Sequence, residues 1–236
     1  MLGSPVGAVV AATDPSSTRD FLRELGAVVD GPRGTVEVVT GSGSWHRAPL
    51  EGGPAALDFY VRSVGTREHV TVNLGPLVMH QARVVGPDGL PVVLIEANHR
   101  RPSLLDHDTA AVSEAHSLVW VVPSIDETLA FFRAAGMSVA FDLPITSPAV
   151  CTLMALPDST TVRMAMLSDD ALTPMRLELF EAPGTRAWDG VVRAGMAWPA
   201  FKASAALGLP WLSVEPVRPG VHRCVAPGGV LVELRG

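Results

Sequence analysis

Two stretches of the chain repeat one pattern of apolar and polar positions. Residues 11–26 read A-A-T-D-P-S-S-T-R-D-F-L-R-E-L-G, and residues 121–136 read V-V-P-S-I-D-E-T-L-A-F-F-R-A-A-G. In each, a β-type apolar run stops at Asp14 or Ser124, residue types whose side-chain oxygen satisfies the free N–H groups of a helix start. A phenylalanine follows at the same distance, Phe21 or Phe131, and then Gly26 or Gly136 ends the helix. Ser124 and Glu127 fit a capping box, and Ile125, Leu129 and Phe132 fall on one helical face. One amphipathic helix says little on its own. Its recurrence predicts duplicated modules in place of a single continuous sheet.

Alternating or continuous apolar runs predict strands over 6–13, 35–40, 56–63, 69–73 and 91–97. After a polar, proline-containing stretch at 98–114, they resume over 116–122, 137–141, 150–156, 162–167, 175–181, 211–217 and 230–235. Turns are expected at 157–159 and 168–170. A further helix is expected over 199–207, with Pro199 at its opening and Gly208 at its end. The duplication continues beyond the helices: A-L-D-F-Y at 56–60 corresponds to R-L-E-L-F at 176–180, and G-P-D-G at 86–89 to A-P-G-G at 226–229. The offset between partners grows along the chain, as loop insertions would make it. Residues 1–97 and 115–236 therefore read as two homologous halves joined by a linker at 98–114.

Composition narrows the function classes. A chain of 236 residues accommodates one large domain or two of about 100–120 residues. It has no apolar run of the ~20 residues that a membrane-spanning helix requires. The first residues lack a basic leader and read as a strand, not a signal peptide. A net charge of -6 without a basic cluster argues against a nucleic-acid partner. Cys151 and Cys224 lie far apart and read as free, buried thiols, so a soluble cytoplasmic protein is expected. His46, His80, His99, His107 and His222 fall in no metal-binding pattern, and Gly41-Ser42-Gly43 reads as a plain turn.

In their order and repetition, the strand–[DS]-x6-F-x4-G pieces, L-E-L-F-E-A-P at 177–183, P-G-G-V-L-V-E-L at 227–234 and the G-P-D-G turn resemble the vicinal oxygen chelate superfamily. Glyoxalase I, bleomycin-resistance proteins, methylmalonyl-CoA epimerase and extradiol dioxygenases belong to it. The resemblance implies an α+β fold of paired βαβββ modules, whose curved mixed sheets surround a concave pocket, with the second module of each half abbreviated. Metal-using members carry a ligand, usually His, near the start of a module's first strand and another, usually Glu, in its last strand. The resemblance maps the first-strand positions to Gly7 and Ser117, neither of them a ligand. His116 is one residue off, which in a regular strand points to the opposite face. It maps last-strand positions to Asp58, Glu178 and Glu233. His69 resembles a first-strand histidine of the abbreviated module, whose last-strand position falls near Val93. No half carries a full ligand set, so neither a resident metal nor another cofactor is expected.

Strand alternation places Arg176 and Phe180 on the face of Glu178, Leu231 and Arg235 with Glu233, Val119 and Val121 with Ser117, and Tyr60 and Arg62 with Asp58. The expected site is a cavity of the second half with Glu178 and Glu233 as catalytic carboxylates. Ser117, Val119, Arg176, Phe180, Leu231, Arg235, Asp58, Tyr60 and His69 are its expected ligand-binding residues. Structural ion pairs of the two glutamates with Arg176 and Arg235 are the competing reading. Met154, Met164, Met166 and Met175 suit a pliable pocket wall or core filling. Trp188, Trp198 and Trp211 suit a lid or domain packing. The function expected is that of a glyoxalase- or bleomycin-resistance-like protein acting on a small, largely apolar metabolite, as a lyase, isomerase or oxygenase of secondary metabolism. The alternative is a metal-free protein that sequesters a drug or metabolite without catalysis. Either would work as a monomer or homodimer, with a small molecule as partner and neither nucleic acid nor membrane.

Overall fold

Both capped helices form where the pattern places them. The computed structural model describes residues 2, 5–31, 35–99, 112–157, 160–168, 175–202 and 208–236. Helix α1 spans Pro15–Glu24, and the Ser16 and Ser17 amides donate to Asp14 Oδ1 at 3.0 and 3.3 Å. Helix α2 spans Ile125–Ala134, and the Glu127 amide donates to Ser124 Oγ at 3.2 Å. Gly26 and Gly136 follow the helices at φ of 91° and 100°, a conformation that a side chain would strain.

The strands are β1 (Gly7–Ala12), β2 (Thr35–Thr40), β3 (Gly53–Val61), β4 (Val70–Leu74), β5 (Leu77–Val85), β6 (Pro91–Ala97), β7 (Val112–Val121), β8 (Ser138–Thr146), β9 (Thr161–Ser168), β10 (Arg176–Glu181), β11 (Ala197–Lys202), β12 (Ser213–Arg218), β13 (Val221–Val225) and β14 (Leu231–Arg235). They build two curled mixed sheets, one of eight strands in the order β4-β5-β6-β3-β7-β10-β9-β8 and one of six in the order β12-β13-β14-β11-β1-β2. Module grammar is legible in the pairing. In β7-α2-β8-β9-β10 the first strand runs parallel to the last, and β3 with β4–β6 repeats this without a helix. β11 with β12–β14 repeats it again, whereas the β1-α1-β2 module ends at its second strand.

This pairing interleaves the two expected halves. The eight-stranded sheet joins β3–β6 to β7–β10, and the six-stranded sheet joins β1 and β2 to β11–β14, so each sheet draws strands from both halves. It also moves Asp58. Because the first module stops at β2, β3 opens the second module, and Asp58 holds a first-strand position and not a last-strand one. Of the expected linker, 112–114 belong to β7 and 100–111 lie outside the described residues.

The sheets pack back to back. One apolar core takes Leu57, Phe59, Leu118 and Trp120 from the larger sheet and Val10, Trp198, Phe201 and Leu234 from the smaller. Ile125, Leu129 and Phe132 of α2 are buried in it, as their shared face predicts. Trp188 and Trp198 also lie in this core, and Trp211 packs edge-on against Phe131 at 4.8 Å, so all three tryptophans serve packing. Each repeated turn seats against a helix: Gly86 faces the Phe21 ring, and Gly228 faces Thr128 on the first turn of α2. At φ 83°, and with an added methyl group running into Thr128 Oγ1, Gly228→Ala is expected to destabilise by about 2–4 kcal/mol, read as a lower denaturation midpoint.

Four elements differ from the sequence reading. The apolar run at 150–156 begins inside a short helix, α3 (Pro148–Leu153), because Ser147 caps the Val150 amide and Pro148 occupies the helix opening. Residues 199–202 belong to β11, so the helix expected over 199–207 is wrong in its first part, while 203–207 lie outside the described residues. Pro199 is tolerated because β14 pairs with β11 only from Ala200 onward, so its missing N–H costs no bond there. Strands β5 and β13 have no counterpart in the sequence pattern; both mix polar and apolar residues on partly exposed faces. The expected turns at 157–159 and 168–170 fall partly outside the described residues. No described helix is long and apolar enough to cross a membrane.

Candidate functional site

The hollow side of the eight-stranded sheet holds the chemistry. Register places Val93, Asp58, Ser117 and Arg176 in one row across β6, β3, β7 and β10, and Ala56, Val119 and Glu178 in the next row. Asp58, Tyr60, Arg176, Glu178 and Phe180 line a cavity of about 110 Å³. Ser117 and Val119 are fully buried in its floor, where Ser117 Oγ donates to Asp58 Oδ2 at 2.8 Å. Met79, Met154, Met164 and Met166, with Ile145, Val150 and Leu153, make the remaining wall apolar. Met175 lies instead in the core between the sheets.

Helix α3 closes the hollow. Val150, Leu153 and Met154 face the cavity, and two arginines grip the helix end: Arg83 Nη1 donates to the Leu153 carbonyl and Arg47 Nη2 to the Met154 and Ala155 carbonyls. Cations at a helix C-terminus satisfy carbonyls that have no partner within the helix. Burial and the adjacent Arg83 charge lower the Arg47 guanidinium to about 10, with Glu51 opposing. Arg47→Met is expected to remove about 2 kcal/mol of charge-assisted hydrogen bonding and to speed amide exchange at 151–156 at least tenfold. Unchanged exchange would mean that the arginine does not hold the helix.

Electrostatically the cavity is a carboxyl pair in an apolar shell. Asp58 is 3% exposed, and among the described residues its Oδ1 has no hydrogen-bond partner. Burial holds its carboxyl well above the usual range, the Glu178 charge adds to this, and the Ser117 hydrogen bond opposes it. Burial pushes Glu178 up to about 7, with the Arg176 guanidinium pulling the other way.

Strict alternation assigns His116 to the opposite face, and the structure corrects this. Asp58 pairs with Ser117 while the next residue, Phe59, pairs with Ala115, so His116 is the extra residue of a β-bulge. The bulge turns its imidazole onto the cavity wall, with ring centroids 4.1 Å from Tyr60. No spacing in the sequence marks it.

Glu233, Leu231 and Arg235 lie on β14 of the other sheet, so the expectation that Glu178 and Glu233 share a cavity is overturned by strand order. Glu233 accepts from Arg235 Nε at 2.8 Å, and Arg235 also bonds Glu37, which takes Arg218 Nη2 at 2.9 Å. These are ion pairs, as in the competing reading. His69 sits exposed ahead of β4, edge-on to His80 at 5.3 Å. The metal positions of the resemblance map here to Asp58, Val93, Glu178 and Ser117 or His116. With valine in one of them, the donors do not make the family's set, and among the described residues no group of three or more His, Cys, Asp or Glu could hold a metal ion.

No protein-family model matches the chain, and no curated protein matches it in sequence. Among solved structures it is similar to a single-substitution variant of glyoxalase I from Zea mays, with TM-score 0.61, 19% identity, and 98% of this chain and 92% of that one covered. The maize enzyme without the substitution gives 0.59 at 19% identity over 98% and 92%. A proposed dioxygenase from Bacillus subtilis gives 0.56 at 12% identity over 99% and 85%. The chain thus has the vicinal oxygen chelate fold, and the likeness is one of fold.

Proposed function

We propose, from that fold and the carboxyl pair in its hollow, that the protein binds a small, largely apolar organic metabolite in the eight-stranded cup and moves a proton on it. One observation carries the reading: two carboxyls with raised proton affinity, Asp58 buried and Glu178 half-buried, face one apolar cavity. A carboxylate near 7 is matched to proton transfer at neutral pH. Glu178 serves as general base. Asp58, tied to Ser117, holds the ligand beside it, and the methionine wall follows the ligand's shape. This is isomerase or lyase chemistry. The cavity is smaller than the ~150 Å³ void that takes benzene, so the ligand has a handful of non-hydrogen atoms. The methionine-rich lining also suits simple sequestration, and the two readings separate experimentally. We further propose 1–97 and 115–236 as the duplicated units, interleaved by the sheet pairing.

The test is hydrogen exchange from D₂O into a panel of small ketones, hydroxyketones and amino ketones, followed by proton NMR. The parent is expected to exchange a carbon-bound proton of at least one compound, and Glu178→Gln to slow this by ~10²-fold or more while binding persists. Equal rates would remove Glu178 as base. Binding without exchange in the parent would favour sequestration.

A further inference from the structure

Asp58 leaves one demand unmet. Its Oδ2 takes the Ser117 hydroxyl at 2.8 Å, while Oδ1 is buried and has no partner among the described residues, in a residue that lines the cavity. A buried carboxyl oxygen without a donor costs free energy that a bound ligand can restore. The titratable and charged groups around the cavity are few: Asp58 and Tyr60 from β3, His116 from β7, and Arg176 and Glu178 from β10. Groups from β4, β5, β8, β9 and α3 on the wall are uncharged. Arg176 is the cation that favours the ionised form of Glu178, and among the described residues no cation does the same for Asp58.

We propose that the ligand is a small amine, whose ammonium group donates to Asp58 Oδ1 while its hydrocarbon part lies against the methionine wall. An acceptor-only ligand leaves an ionised Asp58 unpaired, whereas an ammonium supplies both the donor and the charge. Burial makes this pairing selective, because an ion pair in an apolar enclosure is screened far less than one in water. The raised proton affinity of Asp58 fits: the burial that disfavours its bare charge favours a cation placed beside it. The proposal rests on the cavity being the ligand site, as above, but it concerns Asp58 and the ligand's head group, leaving Glu178 its role as base.

Two ring compounds of equal size separate the cases: pyrrolidine, a cationic donor at neutral pH, and tetrahydrofuran, an acceptor only. Their affinities are measured by calorimetry at pH 8 and pH 5.5, in two buffers of different ionisation enthalpy. Pyrrolidine is expected to bind at least tenfold tighter at pH 8, and to lose most of that advantage at pH 5.5, where its binding displaces a proton from the site. In Asp58→Asn the preference should fall below about threefold while tetrahydrofuran binding persists, which shows that the cavity still forms. Proton release is read on the parent protein, so the proposal stays testable if the variant fails to fold. Tetrahydrofuran binding as tightly as pyrrolidine, no proton release, or a preference surviving Asp58→Asn would each overturn the amine assignment and leave the cavity as a site. Neither compound binding at millimolar concentration would reject the cavity and, with it, this proposal.

Discussion

Phe132→Ala is expected to lower stability by about 3–5 kcal/mol, and the melting temperature by roughly 10 °C. The side chain is fully buried on α2 and sits between Phe131, at 5.2 Å between ring centroids, and Phe201 of the six-stranded sheet, at 6.4 Å. Its removal leaves a void where the helix of one sheet meets a strand of the other. Because the two sheets share one core, the loss should appear as a single cooperative transition moved to lower temperature. Two separate transitions, with only one displaced, would show that the sheets melt independently.

Stability is expected to fall as pH rises from about 5 to 8. Asp58 and Glu178 bind protons more tightly in the folded chain than in the unfolded one. Between the ordinary carboxylate range and about 7 the folded state therefore holds more protons, and its advantage shrinks as they are lost. Glu178 alone accounts for about 3 kcal/mol across that window, or roughly 5–10 °C in melting temperature. Below about 4 the trend reverses. Glu96, Asp142 and Asp189 are held low by hydrogen bonds to the Val64 amide, Arg163 and Arg193, and their contribution goes as they protonate. Glu178→Gln should flatten the profile and make the variant the more stable protein at pH 8. A parent whose stability stays level or rises from pH 5 to 8 would contradict this.

Much of the local structure was legible because it depends on near neighbours. Asp14 and Ser124 had to cap, Gly26 and Gly136 had to end helices, and the stripe of Ile125, Leu129 and Phe132 had to face a core. Repetition of those signals pointed to the modules and to the fold. What the sequence withheld was set by distant pairing. Which module joins which depends on β3 meeting β7 and β1 meeting β11, and no local pattern encodes those contacts. Glu178 and Glu233 look equivalent in sequence, each two residues from an arginine, yet strand order places one in a cavity and the other in an ion-pair network. His116 was hidden for a different reason. A bulge shifts alternation by one residue, and only the register of β3 against β7 reveals it. Strand β5 was missed because its residues are partly exposed on both faces, which erases the alternation that betrays a half-buried strand.

The central claim is that Asp58 and the half-buried Glu178 form one proton-hungry pair in the eight-stranded cup. Carbon-13 NMR titration of their side-chain carboxyl carbons, assigned through Asp58→Asn and Glu178→Gln, tests it most directly. The account predicts that Glu178 titrates near 7, that Asp58 titrates well above the ordinary range, and that replacing Glu178 lowers the midpoint of Asp58. Both carboxyls titrating near 4, with Asp58 unmoved by loss of Glu178, would contradict it.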